Sequence, residues 1–223
     1  MDFERLAALR EKALDLLFPP RCPFCRSLLR DGETALCASC RRELPWAVGT
    51  AQCQSFSHIR RCVSPLYYDG LVRRSLLRYK FRGYALYAKK YSEILANCID
   101  ENQVSCDIIT WVPLSEKRLR ARGYDQARLL AEGIGERRGL PCARLLIKTA
   151  DNPPQSATGS GEKRRKNVAG VYAAADPALA AGKRVLLVDD IVTTGATLNE
   201  CARVLRAAGA AEVCAAALAR NKR

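Results

Sequence analysis

The sharpest chemistry in this sequence lies in the run Val185-Leu186-Leu187-Val188-Asp189-Asp190-Ile191-Val192-Thr193-Thr194-Gly195-Ala196-Thr197, where two adjacent carboxylates precede small and hydroxyl-bearing residues. Four apolar residues suit a strand buried on both faces, which holds whatever follows at the carboxyl edge of a sheet. Backbone N–H groups and hydroxyls of Thr193, Thr194, Gly195, Ala196 and Thr197 would then gather at the positive end of a helix dipole. Gly195 would let the backbone approach an oxyanion closely, so the segment is a candidate phosphate cup. Asp189 and Asp190 are ill suited to a bare phosphate and well suited to vicinal sugar hydroxyls, from which carboxylates accept hydrogen bonds. Thr197 and Glu200 have the spacing of a capping box. A polar strand-to-helix turn with no ligand is the competing reading. No Gly-Lys-Ser/Thr follows, which excludes a Walker loop.

A second candidate lies at Ile108-Ile109-Thr110-Trp111-Val112-Pro113-Leu114, which runs into a basic segment containing Ser115, Lys117, Arg118, Arg120 and Arg122. A strand that ends in a basic loop before a helix suits a highly charged anion such as pyrophosphate, and Leu114, Ser115, Lys117, Arg118 and Arg122 are its candidate residues. Asp125 puts an acid beside this anion site. It faces away as a helix cap, or it pairs with Arg122 or a metal.

A third constellation is Cys22-Pro23-Phe24-Cys25 and Cys37-Ala38-Ser39-Cys40, two C-x-x-C pairs separated by eleven residues. This spacing predicts two knuckles meeting at one tetrahedral Zn²⁺ bound by Cys22, Cys25, Cys37 and Cys40. Cys53 and Cys62 do not continue the pattern, and the remaining cysteines fall on periodic segments, where they read as small core residues. His58 is the only histidine, which excludes Ser-His-Asp catalysis and His-based zinc catalysis.

The elements that must position these groups follow from periodicity. Residues 108–112, 143–147, 168–173, 184–188 and 212–218 read as strands, and residues 124–137 and 198–208 as helices. Strands alternating with helices predict a doubly wound, mostly parallel sheet that takes ligands at the carboxyl ends of its strands. Upstream, residues 64–68 read as a short strand and 71–77 and 84–98 as helices; residues 2–18 carry a helical apolar stripe that suits docking onto the neighbouring module. Residues 151–167, rich in Pro, Gly, Ser, Lys and Arg, suit a mobile lid or a plain connection. A boundary near residue 63 divides the chain into a helix plus zinc module, 1–62, and an α/β domain, 63–223.

The 223 residues are 48% hydrophobic and 27% charged, ordinary for a globular protein and too apolar for a disordered one. The net charge of +14 favours anionic partners, whether a phosphorylated ligand, a nucleic acid or an acidic protein. Acidic residues at the start argue against a secretory signal and no apolar run reaches membrane-spanning length, so no membrane insertion and a cytoplasmic location are expected. Eleven cysteines in that reducing setting point to metal binding before disulfides.

The run from Val185 to Thr197 resembles the phosphoribosyl pyrophosphate motif of type I phosphoribosyltransferases. Val112-Pro113-Leu114 and Arg122-Gly123-Tyr124-Asp125-Gln126 resemble the Val-Pro-Leu and Arg-Gly-Phe-Asn-Gln signatures of the ComF family, with Tyr124 and Asp125 standing where Phe and Asn are usual. Gln155, the Arg164 and Asn167 spacing ahead of Gly170 and Tyr172, Tyr68-Asp69-Gly70 and Lys80-Phe81-Arg82-Gly83 extend the resemblance over nearly the whole chain. It implies a type I phosphoribosyltransferase fold with an N-terminal zinc-ribbon-like module. It also implies ribose contacts from Asp189 and Asp190, 5-phosphate contacts from residues 193–197, a lid carrying Gln155, Arg164 and Asn167, and Mg²⁺ entering with phosphoribosyl pyrophosphate. The implied activity is Mg²⁺-dependent phosphoribosyl transfer to an unidentified acceptor. The implied setting is uptake or processing of transforming single-stranded DNA beside a helicase. A phosphoribosyl pyrophosphate sensor without turnover and a single-stranded-DNA- or helicase-binding accessory protein are the alternatives.

Overall fold

The computed structural model describes residues 19–81, 83–150 and 169–222. The stripe at 2–18 and the lid residues Gln155, Arg164 and Asn167 lie outside them.

In chain order the elements are α1 (Ala38–Glu43), β1 (Cys53–Phe56), β2 (Ile59–Val63), β3 (Leu66–Tyr67), α2 (Gly70–Phe81), α3 (Ala88–Glu101), β4 (Ile108–Trp111), α4 (Glu116–Arg122), α5 (Gln126–Arg138), β5 (Leu146–Lys148), β6 (Tyr172–Ala174), α6 (Pro177–Ala180), β7 (Arg184–Val192), α7 (Ala196–Ala207) and β8 (Glu212–Arg220). The main sheet runs β1-β2-β8-β7-β4, with β3 also pairing β8; every pairing but β1 with β2 is parallel. The stretches at 143–147 and 168–173, expected as strands of this sheet, instead supply β5 and β6, a separate antiparallel ribbon beside α7. Residues just ahead of β5 do touch the main sheet: the Ile109 N–H donates to the Pro141 carbonyl, the Ala143 N–H to the Ile109 carbonyl and the Leu145 N–H to Thr110 Oγ1.

The sheet separates two cores, as the alternation of β7 and β8 requires. Leu186, Val188, Cys214, Ala216 and Leu218 face a core built with α2, α3, α5 and the cysteine module. Val185, Leu187, Val213, Ala215 and Ala217 face a core built with α7 and the β5–β6 ribbon. Apolar residues on both faces are what a covered parallel strand demands, which is why these runs read so clearly in sequence.

The boundary expected between residues 62 and 63 falls inside β2. Residues 53–63 read as irregular because short alternation and two cysteines resemble broken knuckles. They form a hairpin whose second strand pairs Cys62 with Ala215 and Val63 with Ala216, so they belong to the main sheet.

Candidate functional site

β4 and β7 lie side by side in register from Ile108 opposite Val185 to Trp111 opposite Val188, and the Val112 N–H reaches the Val188 carbonyl at 3.0 Å. Leu114–Ser115 and Asp189–Thr197 therefore emerge next to each other at the carboxyl edge, the position where an open α/β sheet takes ligands. β7 continues through Val192, four residues beyond its expected end, so both aspartates sit in the extended strand. Strand alternation then sends them to opposite faces.

Asp190, 6% exposed, lies on the face of α2 and α5, where Lys80 Nζ stands 2.9 Å from its Oδ2. Lys80 is in the last turn of α2, so helix geometry delivers the cation to the strand end. Asp189 accepts a hydrogen bond from the Asp190 N–H at 2.8 Å and lies toward α7. Its carboxyl is held well above the usual carboxylate range, chiefly by burial and then by the negative charge of Asp190, with Lys80 opposing. Burial likewise pushes up Cys201 and Tyr172, and the Asp189 charge adds to each.

The small-residue loop turns through Gly195 at φ +77° and starts α7 at Ala196. The expected capping box is not formed: Gly195 is the N-cap, with no side-chain cap hydrogen bond, while Glu200 accepts from Arg203 and from the Gly170 N–H at 3.0 Å. Glu200 is drawn away because an arginine one turn on and a bare amide in the adjoining strand connection offer it stronger partners. On the other side, Phe56 of β1 presses its ring against Gly195, and a methyl group there would overlap the ring. Glycine is required twice over, by the left-handed backbone and by this contact.

The basic segment, expected as a loop, is the short helix α4. Ser115 caps it, accepting from the Arg118 N–H at 3.4 Å, and Gly123 ends it in the left-handed conformation. Lys117 and Arg120 are exposed, and Arg120 pairs with Glu116. Arg122 is half-buried, bonded to Gln126 Oε1 at 2.7 Å and stacked 4.9 Å from the Phe81 ring centroid. Burial lowers the Arg122 pKa, while Asp190 favours its charge. Asp125 resolves as a cap: it accepts from Ala127 and Arg128 at the start of α5 and from Leu114 at 3.1 Å, tying the strand end to the helix start. Burial raises its carboxyl, and those three N–H groups oppose the rise. Sequence reasoning did not place Lys80 and Phe81 among the site residues; the Lys80-Phe81-Arg82-Gly83 run, basic and aromatic after a helix, was the available signal.

The four cysteines Cys22, Cys25, Cys37 and Cys40 gather with their sulfurs within 4.8 Å of one another. The Cys22–Cys25 turn closes through Arg26 N–H to the Cys22 carbonyl and Cys22 N–H to the Ser27 carbonyl, while Cys37 caps α1. Burial pushes up the thiols of Cys37 and Cys40, neighbouring sulfurs add to it at Cys40, and hydrogen bonding with Ser27 outweighs burial at Cys25 and holds it down to about 6, so a divalent cation is the natural means of ionising the cluster together. Soft thiolates packed this closely fit zinc, and the cluster supports structural Zn²⁺. Among the described residues no second such group occurs; Cys53 bonds to Asn102 and Cys62 is buried in the sheet. The module is fused to the domain core: Ser75 Oγ and Arg78 bind the Pro23 carbonyl, Arg78 also binds that of Phe24, and Phe24 packs edge-on to Tyr91. No helix among the described residues is long and apolar enough to cross a membrane.

Comparison with known proteins agrees with this organisation. Residues 13–69 match a double zinc ribbon domain, and residues 135–223 match a phosphoribosyl transferase domain. The chain is 27% identical to competence protein F of Haemophilus influenzae, over 90% of this chain and 96% of that protein. It is 29% identical to competence protein ComFC of Bacillus subtilis, over 90% of this chain and 84% of that protein. Among solved structures, glutamine phosphoribosylpyrophosphate amidotransferase from B. subtilis aligns at 29% identity with a TM-score of 0.39, over 57% of this chain and 25% of that chain. With a four-cysteine module fused to a type I phosphoribosyltransferase domain, and with similarity along nine tenths of its length, the chain is a homologue of competence protein F and ComFC.

Proposed function

We propose that the carboxyl edge of β4 and β7 binds phosphoribosyl pyrophosphate and transfers its phosphoribosyl group, in a cytoplasmic protein that serves DNA uptake. The observation that carries this reading is the convergence on one edge of the acidic pair, the Gly195 loop at the N-terminus of α7, and the amide-rich start of α4. Residues 193–197 would hold the 5-phosphate with N–H groups and hydroxyls. Leu114, Ser115, Lys117, Arg118 and Arg122 would face the pyrophosphate. Asp190 would accept from a ribose hydroxyl, and Lys80 would exchange part of its contact with Asp190 for the ligand's anionic oxygens.

In the reaction the bond from the anomeric carbon to pyrophosphate breaks and its electron pair leaves with pyrophosphate. A lone pair of the acceptor forms the new bond, and the acceptor's proton passes to solvent. Positive charge on the sugar is greatest between these events, where the two carboxylates lower its energy. Asp189 and Asp190 supply the hard oxygen donors that fit Mg²⁺, which when bound with the ligand would neutralise charge on the leaving pyrophosphate. Zinc has no part in the chemistry and holds the N-terminal module on α2 and α3.

The test is calorimetry of the zinc-loaded chain with phosphoribosyl pyrophosphate and Mg²⁺. Saturable binding that weakens at least tenfold on Asp190→Asn is expected; unchanged affinity after replacing both aspartates and Gly195 removes the reading. Pyrophosphate release with an acceptor separates transfer from sensing without turnover. The names competence protein F and ComFC, with the +14 net charge, favour a second role for the surface in contacting single-stranded DNA or a helicase, read out as retention that falls steeply with salt.

A further inference from the structure

We propose that a recess at the amino edge of the sheet, the opposite edge from the acidic pair, is a second ligand site that takes a nucleoside phosphate. It lies between the tip of the β1–β2 hairpin, the last turn of α7 and the start of β8, and has a volume of about 610 Å³. Glu212 in its wall opens β8 and pairs with Arg184, the first residue of β7, whereas Asp189 and Asp190 stand near the other end of β7. That volume falls within the range of roughly 300–1,000 Å³ that small-molecule sites occupy, and is several times what a bare phosphate ion needs. Phe56, Ile59 and Val213 give the recess an apolar wall, and Ser57, Arg60 and Arg206 give it a polar one.

The polar wall is biased towards anions. Among the lining residues two arginines meet the single carboxylate of Glu212. Arg60 uses only Nη1 on that carboxylate, and Arg206 uses only Nη1 on the Ala210 and Ala211 carbonyls. Among the described residues nothing else accepts from either guanidinium, so each keeps Nε and Nη2 for an incoming oxyanion, and a planar fork of donors matches phosphate oxygens. The walls are also held in place before any ligand arrives. The His58 N–H donates to Asn199 Oδ1 of α7 at 2.9 Å, which ties the hairpin tip to that helix, and Phe56 rests on Gly195. The two carbonyl bonds fix Arg206 at the helix end. A preformed recess with an apolar wall beside two guanidinium groups suits a ligand that carries a flat base at one end and a phosphate at the other.

His58 is the only histidine of the chain and lines this recess, so its imidazole proton signal in nuclear magnetic resonance reads the site directly. AMP, GMP, CMP and UMP are titrated at constant pH into the untagged, zinc-loaded full chain in phosphate-free buffer. At least one should shift the signal saturably, and the matching nucleoside, which lacks the phosphate, should not. Arg60→Gln and Arg206→Gln should each weaken the response about tenfold, the scale of a hydrogen bond between charged groups. Arg206 also holds the end of α7, so Ser57→Asp on the exposed hairpin turn provides a variant that leaves that end intact, and its carboxylate should weaken the response as strongly. Asp190→Asn, at the other edge, should leave the response unchanged. A signal that no nucleotide moves overturns the site. So does a response that the nucleoside reproduces, that persists in both Arg60→Gln and Ser57→Asp, or that Asp190→Asn abolishes.

Discussion

Lys80 Nζ lies 2.9 Å from Asp190 Oδ2 at the carboxyl end of β7, so the second acid of the pair meets its cation from a helix more than a hundred residues earlier in the chain. Both partners are largely shielded from water, and each removes the cost of burying the other. Lys80→Ala should cost about 1–3 kcal/mol in chemical denaturation, and Asp190→Asn on that background should recover most of the loss. A double-mutant cycle showing no coupling would mean that the contact does not bear on stability.

Asp189 makes a prediction with a sign. Its carboxyl is raised in the folded chain, so folding binds its proton more tightly than the unfolded chain does. The associated stability is present below the unfolded value near 3.8 and is lost as pH climbs through the raised folded value. Asp189→Asn should therefore raise the melting temperature at pH 7, and the gain should shrink as pH is lowered towards 4. A gain independent of pH would contradict this account.

Gly195→Ala should lower stability by about 2–4 kcal/mol, because φ +77° is unfavourable for alanine and its methyl meets the Phe56 ring. Phe56→Leu should recover only the overlap, leaving the backbone part of roughly 1 kcal/mol. Additive losses in the double variant would show that the ring does not press on the loop.

At Asp125, Asp125→Ala should cost about 1–2 kcal/mol by uncapping α5 and releasing the Leu114 N–H. Asp125→Asn keeps an acceptor and removes a carboxylate that burial penalises, so at pH 7 it should cost far less. Denaturation of the two variants side by side measures the difference.

One zinc per chain is expected by metal analysis, with Cys22→Ser or Cys40→Ser abolishing it. Because Arg78 and Ser75 bind the Pro23 and Phe24 carbonyls, chelation should also lower the melting temperature of the α2 and α3 core. A domain transition indifferent to chelator would show that module and domain unfold separately.

Much of this site was legible because its parts are local. The run from Val185 to Thr197 carries its own strand, turn glycine and helix start, and the C-x-x-C pairs carry their own metal geometry. What escaped was long-range. Lys80 looked like one basic residue among 37, and only the packing of α2 against the end of β7 brings it to Asp190. The basic segment read as a loop because seven residues between a Pro-Leu-Ser turn and a glycine are too few for a periodic signal. The hairpin at 53–63 was lost for a similar reason: β1 is only partly buried, and its strand character depends on the edge that β8 offers.

That hairpin limits how the molecule can be divided. Phe56 comes from residues adjoining the cysteine module yet supports the turn before α7, which is contributed by the far end of the chain. A chimera joined at residue 62, taking its front from one relative and its back from another, would pair a foreign wedge with a native turn. Exchanges made ahead of residue 53 keep wedge and turn from one parent.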